Sequence, residues 1–465
     1  MEMSPICAAQ SFAAPPSTAR ADGKLRITLI SPRGPLYRYR VGIWKKAMRY
    51  APLTLTTLAS LVPPEIPSEV RILDEGIEEI DLDRIHANLV GISVITGTAP
   101  RAYEISAHLR TRGIPVVLGG VHPTLLPEEA QRHADSVVVG YAEECWPELL
   151  RDFVGGRLKS RYNQSPGLKL VNLPFPLRRM YDSSLFHVAD TIEATRGCVY
   201  QCDFCVVPAA WGGPLQKPVA DVVADLKQIG ARRVIFLDLN LIADPEYAKE
   251  LFSALVPLNM RWGGLATVTI AWNDELLDLA ARSGCRGLLI GFESSNQAAL
   301  KEAKKSFNMR CSYLDAMQRL HARGIAVMGC FVFGLDSDTL DSFDETVSLV
   351  IESKMDLPRY AIATPFPATG LYKRLKAENR ITTEDWTLYD GQHVVFEPKN
   401  MTADELLSNT RRAWRKTYSY RSIVSRLTGS RTQLTAAIPA NLGYRFYAHH
   451  LDTFYMCDWR LSARG

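Results

Sequence analysis

The sequence lacks a long uninterrupted apolar run. A membrane-spanning helix needs roughly 18 to 20 consecutive apolar residues, and no window of this 465-residue chain reaches that length. The first twenty residues also lack the basic start and the long apolar segment of a secretory signal. We therefore expect neither a membrane span nor export, and we interpret residues 1–24 as a disordered lead-in.

Paired cysteines and a strong net charge are also missing. The chain has nine cysteines, an odd and scattered set, and a net charge of only +4. Disulfide frameworks use even sets of cysteines in secreted proteins, so we expect a reducing compartment and a cytoplasmic location. The hydrophobic content of 47% excludes a disordered chain and allows two or three domains.

Short β-branched segments alternate with helical segments from Leu25 onward. The strand segments include LRITLI, EVRILDE, NLVGISVI, PVVLGG and SVVVGYAE. Such alternation predicts a parallel sheet with helices on both faces, and we assign residues 25–155 to one doubly wound, Rossmann-like α/β domain. Ligands of these sheets bind at the carboxyl ends of the strands. Glycine and hydroxyl residues gather there, in SVITGT, GGVHPT and GYAEE.

A second alternating region follows a connector at residues 156–186, which is rich in Pro, Gly and Arg. Six further strand segments with intervening helices predict a partial (β/α)6 barrel over residues 187–400, with its active site at the carboxyl ends of the strands. Residues 401–465 form a predicted helical C-terminal region, which holds ten Lys/Arg against four Asp/Glu.

Three of the nine cysteines stand within eight residues of the segment RGCVYQCDFCVVP, directly after the first predicted barrel strand. Structural zinc requires four side chains, and the nearest further candidates (His187, Cys285 and Cys145) belong to other elements. A disulfide would leave one thiol over. Three thiolates around a cubane iron-sulfur cluster would leave one iron open. We favour such a cluster over zinc or a disulfide; its ligands would be Cys198, Cys202 and Cys205.

The Cys-x3-Cys-x-aromatic-Cys spacing resembles the signature of the radical S-adenosylmethionine (radical SAM) enzymes. The resemblance implies a [4Fe-4S] cluster whose open iron binds S-adenosylmethionine, and reductive cleavage of that molecule to a 5'-deoxyadenosyl radical. It also implies a reducing partner such as flavodoxin or ferredoxin.

Other barrel segments are similar to S-adenosylmethionine-binding segments of that family. FLDLNLIADP would meet the amino group, LLIGFESSN would supply polar contacts, and GCFVFGLDSD would let the backbone approach the adenosine. Glu293 could instead cap a helix or pair with an arginine. In TPFPATGLY, Ala368 replaces the glycine of the family pattern. The implied contacts are Phe204, Asp238, Asn240, Glu293, Ser294 and Gly334.

The doubly wound domain in front of the barrel resembles that of the cobalamin-binding radical SAM subclass. The chain has no Asp-x-His-x-x-Gly motif, so we expect no histidine ligand to cobalt. His122 could contact the nucleotide tail of cobalamin or be an ordinary loop histidine. The contacts implied by the resemblance are Ser93, Thr96, Gly119, Gly120, His122, Thr124 and Gly140.

Together, the two cofactor sites imply C-methylation of an unactivated carbon in a lipid, a tetrapyrrole or a secondary metabolite. Cyclisation or ring rearrangement without methyl transfer is an alternative, and a non-catalytic iron-sulfur electron-transfer protein is another. We expect a small-molecule or lipid substrate and no nucleic acid. The basic run RRAWRKTYSYRS allows peripheral membrane contact, although we expect Trp414, Tyr418 and Tyr420 to pack rather than bind.

Overall fold

The computed structural model describes residues 23–34, 50–186, 188, 190–310, 312–428, 432 and 434–451. Most of the predicted lead-in and His187, a candidate for a fourth ligand, lie outside the described residues.

The first half of the chain forms a six-stranded parallel sheet in the order β2-β1-β3-β4-β5-β6. Its strands are β1 (Leu25–Ser31), β2 (Ser68–Asp74), β3 (Leu89–Ser93), β4 (Val116–Gly119), β5 (Ser136–Val139) and β6 (Arg161–Asn163). The strand order reverses between β1 and β3, which is where ligands of doubly wound sheets bind. The last strand lies in the stretch that the sequence assigns to the connector.

Five helices cover this sheet: α1 (Thr54–Ser60), α2 (Ala99–Thr111), α3 (Val121–Leu125), α4 (Pro127–Arg132) and α5 (Cys145–Val154). Successive side chains of a strand point to opposite faces, so β1 buries Leu29 with α1 and α5 on one face and Ile30 with α2 on the other. Two apolar cores therefore sandwich the sheet, and the predicted Rossmann-like fold is confirmed.

The second half contains strands β7 (Thr191–Ile192), β8 (Thr195–Arg196), β9 (Leu215–Gln216), β10 (Arg233–Phe236), β11 (Arg261–Ala266), β12 (Cys285–Glu293), β13 (Ala326–Phe333) and β14 (Arg359–Ile362). Six of them form a parallel sheet in the order β14-β13-β12-β11-β10-β7, while β8 and β9 form a short antiparallel pair. The described strands β7 and β14 are the two edges of the sheet. The predicted partial barrel is confirmed.

Helices alternate with these strands. They are α6 (Val207–Trp211), α7 (Val219–Ile229), α8 (Pro245–Leu255), α9 (Asp274–Arg282), α10 (Gln297–Glu302), α11 (Tyr313–Ala322), α12 (Ser342–Glu352) and α13 (Gly370–Ala377). All but α6 add buried side chains to the core on one face of the sheet, whereas α6 contacts α3 of the first half. On β13, Val327, Phe331 and Phe333 are buried beneath the helices, whereas Met328 and Cys330 are half-buried. The half-buried side chains point away from the helices because strand residues alternate between faces.

Three C-terminal helices follow: α14 (Ala403–Thr417), α15 (Tyr420–Leu427) and α16 (Leu434–His449). α14 packs against β14, and α15 and α16 pack against α14. A capping box between Thr402 and Glu405 begins α14. Trp414 and Tyr418 are fully buried, as expected, but Tyr420 is 63% exposed. The expectation that Tyr420 packs is therefore wrong, because its position at the start of α15 turns it to solvent.

The two halves share an apolar core. Trp386 and Tyr389, which follow α13, pack into the core between α2 and the first sheet. The indole N–H of Trp386 donates to Glu129 Oε1 at 3.0 Å. No helix in the described part of the chain combines the length and the apolar character needed to cross a membrane.

Candidate active site

The cysteine loop, residues 197–206, begins directly after β8. Cys198, Cys202 and Cys205 are half-buried free thiols. Gly197 has φ +72°, and a Cβ at this position would lie 2.3 Å from the carbonyl oxygen of Gly213. Since L-residues disfavour positive φ and this gap has no space, the turn into the loop requires glycine.

Several backbone and side-chain contacts fix the middle of this loop. The N–H of Asp203 donates to Ala303 O at 3.0 Å, and its carbonyl accepts from the N–H of Leu371 at 3.0 Å. Its carboxylate accepts from Arg374 at 2.7 Å. A Cβ on Gly370 would lie 2.0 Å from Asp203 Oδ1, so the start of α13 touches the loop without a side chain between them. The loop is thus clamped between the segment after β12 and α13.

Burial around the cysteines favours the protonated thiols over the thiolates. Burial raises the pKa of Cys202 to about 12, while the nearby ammonium of Lys305 acts in the opposite direction. Burial also raises the pKa of Cys205. A metal must therefore displace the protons of these thiols, because the thiolate is the form that binds it.

The donor set suits an iron-sulfur cluster. Among the described residues, no three His, Cys, Asp or Glu side chains are grouped closely enough to hold a single metal ion. In a cubane each thiolate binds a different iron, so the three cysteines need only surround the cluster. Beside the loop, Asn240 Nδ2 lies 4.0 Å from Cys198 Sγ. Asn240 Oδ1 is buried without a hydrogen-bond partner in the described structure, so it is an available acceptor at this site.

The side-chain oxygens of Asp238, unlike Asn240 Oδ1, accept hydrogen bonds from the protein itself. Its carboxylate accepts hydrogen bonds from the backbone N–H of Ala194 and Thr195 and from Thr195 Oγ1 at 2.8 Å. Burial raises the pKa of Asp238 to about 7. These contacts join the end of β10 to the strand that leads into the cysteine loop, so Asp238 positions that loop.

Glu293 ends β12 at φ +65° and is paired with a buried lysine, Lys305. A Cβ on Gly291 would come within 2.1 Å of Glu293 Oε1 and 2.6 Å of Lys305 Nζ, so the pair lies against a strand that has no side chain there. Ser294 is buried beside it, and its hydroxyl accepts from Asn296 N at 3.0 Å. Glu293 thus pairs with a lysine, not with the arginine that was one alternative for it.

The two remaining barrel candidates contact the protein core. Phe204 is partly buried against the core of the barrel. Gly334 has φ +97°, its N–H donates to Asp338 Oδ2 at 2.9 Å, and a Cβ there would lie 2.8 Å from Leu406 of α14. The packing of α14 against β13 is therefore sufficient reason for a glycine at this position.

A cavity of about 350 Å³ opens between the carboxyl ends of the first sheet and the residues before the cysteine loop. Four of the predicted cobalamin contacts line it: Ser93, Gly119, Gly120 and Gly140. Its apolar wall comes from Leu53, Leu58, Leu61, Val117, Val138 and Trp146. The barrel side is formed by Glu193, Thr195, Arg196, Gly197, Trp211, Leu237 and Leu239.

Three predicted contacts do not line this cavity. His122 is fully buried, lies 3.1 Å from the hydroxyl of Tyr103, and packs edge-on against Trp386. Thr124 accepts from the N–H of Gly140 at 2.9 Å and donates to Gly120 O, so it holds two of the lining glycines in place. Thr96 is also buried.

Sequence reasoning missed the polar residues that hold the site together. Glu143 lines the cavity and pairs with Arg196, which stands two residues before Cys198. Asp203 and Arg374 clamp the cysteine loop, and Lys305 pairs with Glu293. Glu143 had a usable signal, since it follows a strand end in GYAEE. The others had none, because their partners lie 12 to 171 residues away along the chain.

Comparison with known proteins supports the two halves separately. The B12 binding domain family matches residues 65–150, and the radical SAM superfamily matches residues 192–350. The fold and the site thus define a radical SAM enzyme with a cobalamin-binding domain in front of its barrel.

Relatives of similar length carry both halves. The chain is 33% identical to bacteriochlorophyllide d C-12(1)-methyltransferase of Chlorobaculum tepidum, over 81% of this chain and 85% of the relative. It is 31% identical to the bacteriochlorophyllide d C-8(2)-methyltransferase of the same organism, over 74% of this chain and 80% of the relative. The chain therefore belongs to the cobalamin-dependent radical SAM methyltransferases.

A solved structure has the same fold. The radical S-adenosylmethionine methyltransferase TsrM from Kitasatospora setae, with cobalamin and a [4Fe-4S] cluster bound, aligns with a TM-score of 0.68 at 15% identity. The alignment covers 92% of this chain and all of that one. The protein is an enzyme of radical SAM C-methylation, with a [4Fe-4S] cluster, S-adenosylmethionine and cobalamin as its cofactors.

Proposed function

We propose that this enzyme methylates a carbon of a tetrapyrrole. Two relatives that cover most of the chain act, by their names, on bacteriochlorophyllide d. The observation that carries the reaction is that the cavity at the strand ends of the first sheet, which we assign below to cobalamin, adjoins the residues leading into the cysteine loop. A substrate carbon held at this junction would be reached from both halves of the molecule.

Cys198, Cys202 and Cys205 are the proposed ligands of the [4Fe-4S] cluster. They are free, half-buried and clamped in one loop. The loop offers three thiolates, which leaves one iron for S-adenosylmethionine. Once bound, these groups supply a 5'-deoxyadenosyl radical and a transferable methyl group, whereas the protein binds, orients and shields the reactants.

The proposed S-adenosylmethionine site lies along the ends of β10 and β12. Asn240 Oδ1 would accept a hydrogen bond from the amino group, because this buried oxygen has no partner among the described residues. Glu293 would contribute a second acceptor, held by Lys305. We assign Asp238 to positioning, since its oxygens accept from Ala194 and Thr195. Phe204, Ser294 and Gly334 remain proposed contacts on the strength of the family resemblance.

The cavity between the halves is the proposed cobalamin site. Glycines at the ends of β4 and β5 line it with backbone alone, and Ser93 adds a hydroxyl. The apolar wall around Leu58 and Trp146 would receive the nucleotide tail. We propose no contact by His122, because its side chain is buried between Tyr103 and Trp386. Thr124 would support the site through the glycine loops that it holds, whereas Thr96 stays a proposed contact on the strength of the family resemblance.

We propose a cytoplasmic enzyme that receives electrons from a flavodoxin or a ferredoxin.

Peripheral contact with a membrane is a further proposal, supported by an apolar stripe on α16 formed by the exposed residues Leu434, Ile438 and Leu442. Lys416 and Arg412 of the basic run lie near Asp344, which reduces the charge they would offer to a nucleic acid.

Anaerobic reconstitution with iron, sulfide and hydroxocobalamin tests this function. The protein is then given a reductant, bacteriochlorophyllide d and S-adenosylmethionine that carries a deuterated methyl group. We expect a tetrapyrrole product whose mass increases by one labelled methyl group. Recovery of unchanged tetrapyrrole from an enzyme that cleaves S-adenosylmethionine would contradict the substrate proposal while leaving the reaction class intact.

The cluster ligands are tested with the variants Cys202→Ala and Cys330→Ala. Cys330 is a matched control, because it is another half-buried free thiol of the barrel but lies on β13, outside the loop. We expect Cys202→Ala to lose most of its iron and its cleavage activity, and Cys330→Ala to keep both. Equal iron content in the two variants would contradict the assignment.

A further inference from the structure

The cysteine loop is attached to the first domain on both of its sides. Arg196, two residues before Cys198, forms an ion pair with Glu143 in the turn after β5. Trp211, six residues after Cys205, stacks on Tyr141 of the same turn, with ring centroids 4.7 Å apart and an angle of 9° between the planes. Residues 141–143, which we call the β5 turn, therefore contact both flanks of the loop.

The ion pair is buried and surrounded by further charges. Only 13% of the Arg196 side chain and 4% of the Glu143 side chain are exposed. Arg196 also donates to Glu193 at 2.8 Å, and its guanidinium lies 5.0 Å from the ring centroid of Tyr141. Lys217 approaches Glu193 at 3.4 Å. The buried guanidinium is held between the carboxylates of Glu143 and Glu193, so Arg196 links the β5 turn to the start of the cysteine loop.

Glu143 has an oxygen that the protein does not use. Oε1 accepts from Arg196, whereas Oε2 is buried and has no hydrogen-bond partner among the described residues. Glu143 also lines the cavity. A buried carboxylate oxygen without a donor is unfavourable. Oε2 is therefore an acceptor available to a hydrogen-bond donor of a ligand in the cavity.

Cobalamin has donors of the required kind. Primary amide side chains surround its corrin ring, and each amide carries two N–H groups. A carboxylate at the wall of the cavity is a strong acceptor for one of them, because hydrogen bonds to ionised groups are stronger than neutral ones.

We propose that Glu143 binds a corrin amide through Oε2 and that Arg196 is a positioning residue through which occupancy of the cavity orients the cysteine loop. This inference rests on the proposed function of the cavity. If an occupied cavity orients the loop for S-adenosylmethionine, cobalamin strengthens the binding of S-adenosylmethionine at the cluster. Because coupling between two sites is reciprocal, S-adenosylmethionine then strengthens the binding of cobalamin by the same factor.

The variant Glu143→Gln tests the coupling, and Glu144→Gln is its control because Glu144 is the next residue and is exposed. The first measurement is an absorbance titration of the cluster-loaded protein with hydroxocobalamin. We expect Glu143→Gln to weaken binding about 10-fold, the effect of losing one charge-assisted hydrogen bond, and Glu144→Gln to bind like the wild type.

The second measurement is the dissociation constant of S-adenosylmethionine with and without saturating hydroxocobalamin. We expect cobalamin to tighten binding at least about 5-fold in the wild type and in Glu144→Gln, and to have no effect in Glu143→Gln. Glu143→Asp covers the case in which Glu143→Gln does not fold, since it keeps a charge beside Arg196 but withdraws it from the cavity. Glu143→Asp should also weaken the binding of hydroxocobalamin, as Glu143→Gln does.

The outcomes separate this inference from the proposed function. A wild type that does not bind hydroxocobalamin would overturn the proposed cobalamin site itself. A wild type that binds it, with unchanged affinity and unchanged coupling in Glu143→Gln, would overturn the role of Glu143 and Arg196 alone.

Discussion

At the scale of single residues, a buried carboxyl group links the stability of this enzyme to the pH. Asp338 is a buried carboxyl that accepts hydrogen bonds from the N–H groups of Gly334 at 2.9 Å and Leu335 at 3.0 Å. Burial raises the pKa of Asp338 to about 7. Because its pKa is higher in the folded than in the unfolded chain, its contribution to stability is complete below the unfolded pKa and is lost as the pH rises through about 7.

Replacing Asp338 by Asn should reduce the pH dependence of stability. The difference in the free energy of unfolding between the wild type and the variant should fall as the pH rises from about 4 to about 7, because the amide does not titrate whereas all other groups titrate in both proteins. Urea unfolding at a series of pH values measures the free energy of unfolding of both proteins.

Asp336→Asn is the control of opposite sign. Arg380 holds the pKa of Asp336 below its usual range, so this carboxylate stabilises the fold at neutral pH and loses its effect in acid. If the free energy of unfolding changed with pH in the same way in Asp338→Asn and in the wild type, the raised pKa of Asp338 would be contradicted.

Residue spacing along the chain was enough to predict the cysteine loop, because three thiols within eight residues are local information. It could not give the clamp on that loop. Asp203 and Arg374 are 171 residues apart in the chain, and their pairing exists only once α13 packs against the loop. Likewise, a polar residue at a strand end looks the same in the sequence whether it faces the cavity, as Ser93 does, or is buried, as His122 is.

At the scale of secondary structure, the strands were predictable because their β-branched runs differ in period from the helices between them. In the structure Thr369 caps the start of α13, because its hydroxyl accepts from Tyr372 N at 3.2 Å. The sequence could not specify which loop the beginning of a given helix contacts. The contact of α13 with the cysteine loop is such a case.

A methyl group at the start of α13 should disturb the cysteine loop. In Gly370→Ala the new Cβ would lie 2.0 Å from Asp203 Oδ1, so the loop or the helix must shift. We expect a loss of about 1 to 3 kcal/mol in stability and a less stable cluster. Thermal unfolding and the rate of iron release measure these effects.

Gly443→Ala is the matched control within a helix. Gly443 lies inside α16 with nothing near its missing Cβ, so alanine should stabilise the fold by about 0.5 to 1 kcal/mol. Gly370→Ala with the stability of the wild type would show that the close approach of α13 to the loop is not maintained in solution.

The whole molecule depends on how its two halves meet. The segment after α13 crosses to the first sheet, where Trp386 donates to Glu129 and packs on His122. The sequence indicates both halves but not this crossing, since Trp386 and Glu129 are 257 residues apart.

Trp386→Phe should weaken the contact between the halves. Phenylalanine keeps most of the apolar packing but leaves Glu129 without the indole donor, which should cost about 1 to 3 kcal/mol. Trp272→Phe is the control, because Trp272 is 42% exposed and should change stability by less than about 0.5 kcal/mol. Denaturant unfolding compares the two. Equal effects would contradict a structural role for the Trp386 contact.

The products formed from S-adenosylmethionine test the central claim, which is that one substrate carbon meets both radical and methyl-transfer chemistry between the two halves. The measurement is the amount of 5'-deoxyadenosine and S-adenosylhomocysteine formed per tetrapyrrole methylated by the reconstituted enzyme. We predict equal amounts of the two, one of each per methyl group transferred. Formation of 5'-deoxyadenosine without S-adenosylhomocysteine would contradict methyl transfer and identify a cyclisation or rearrangement instead.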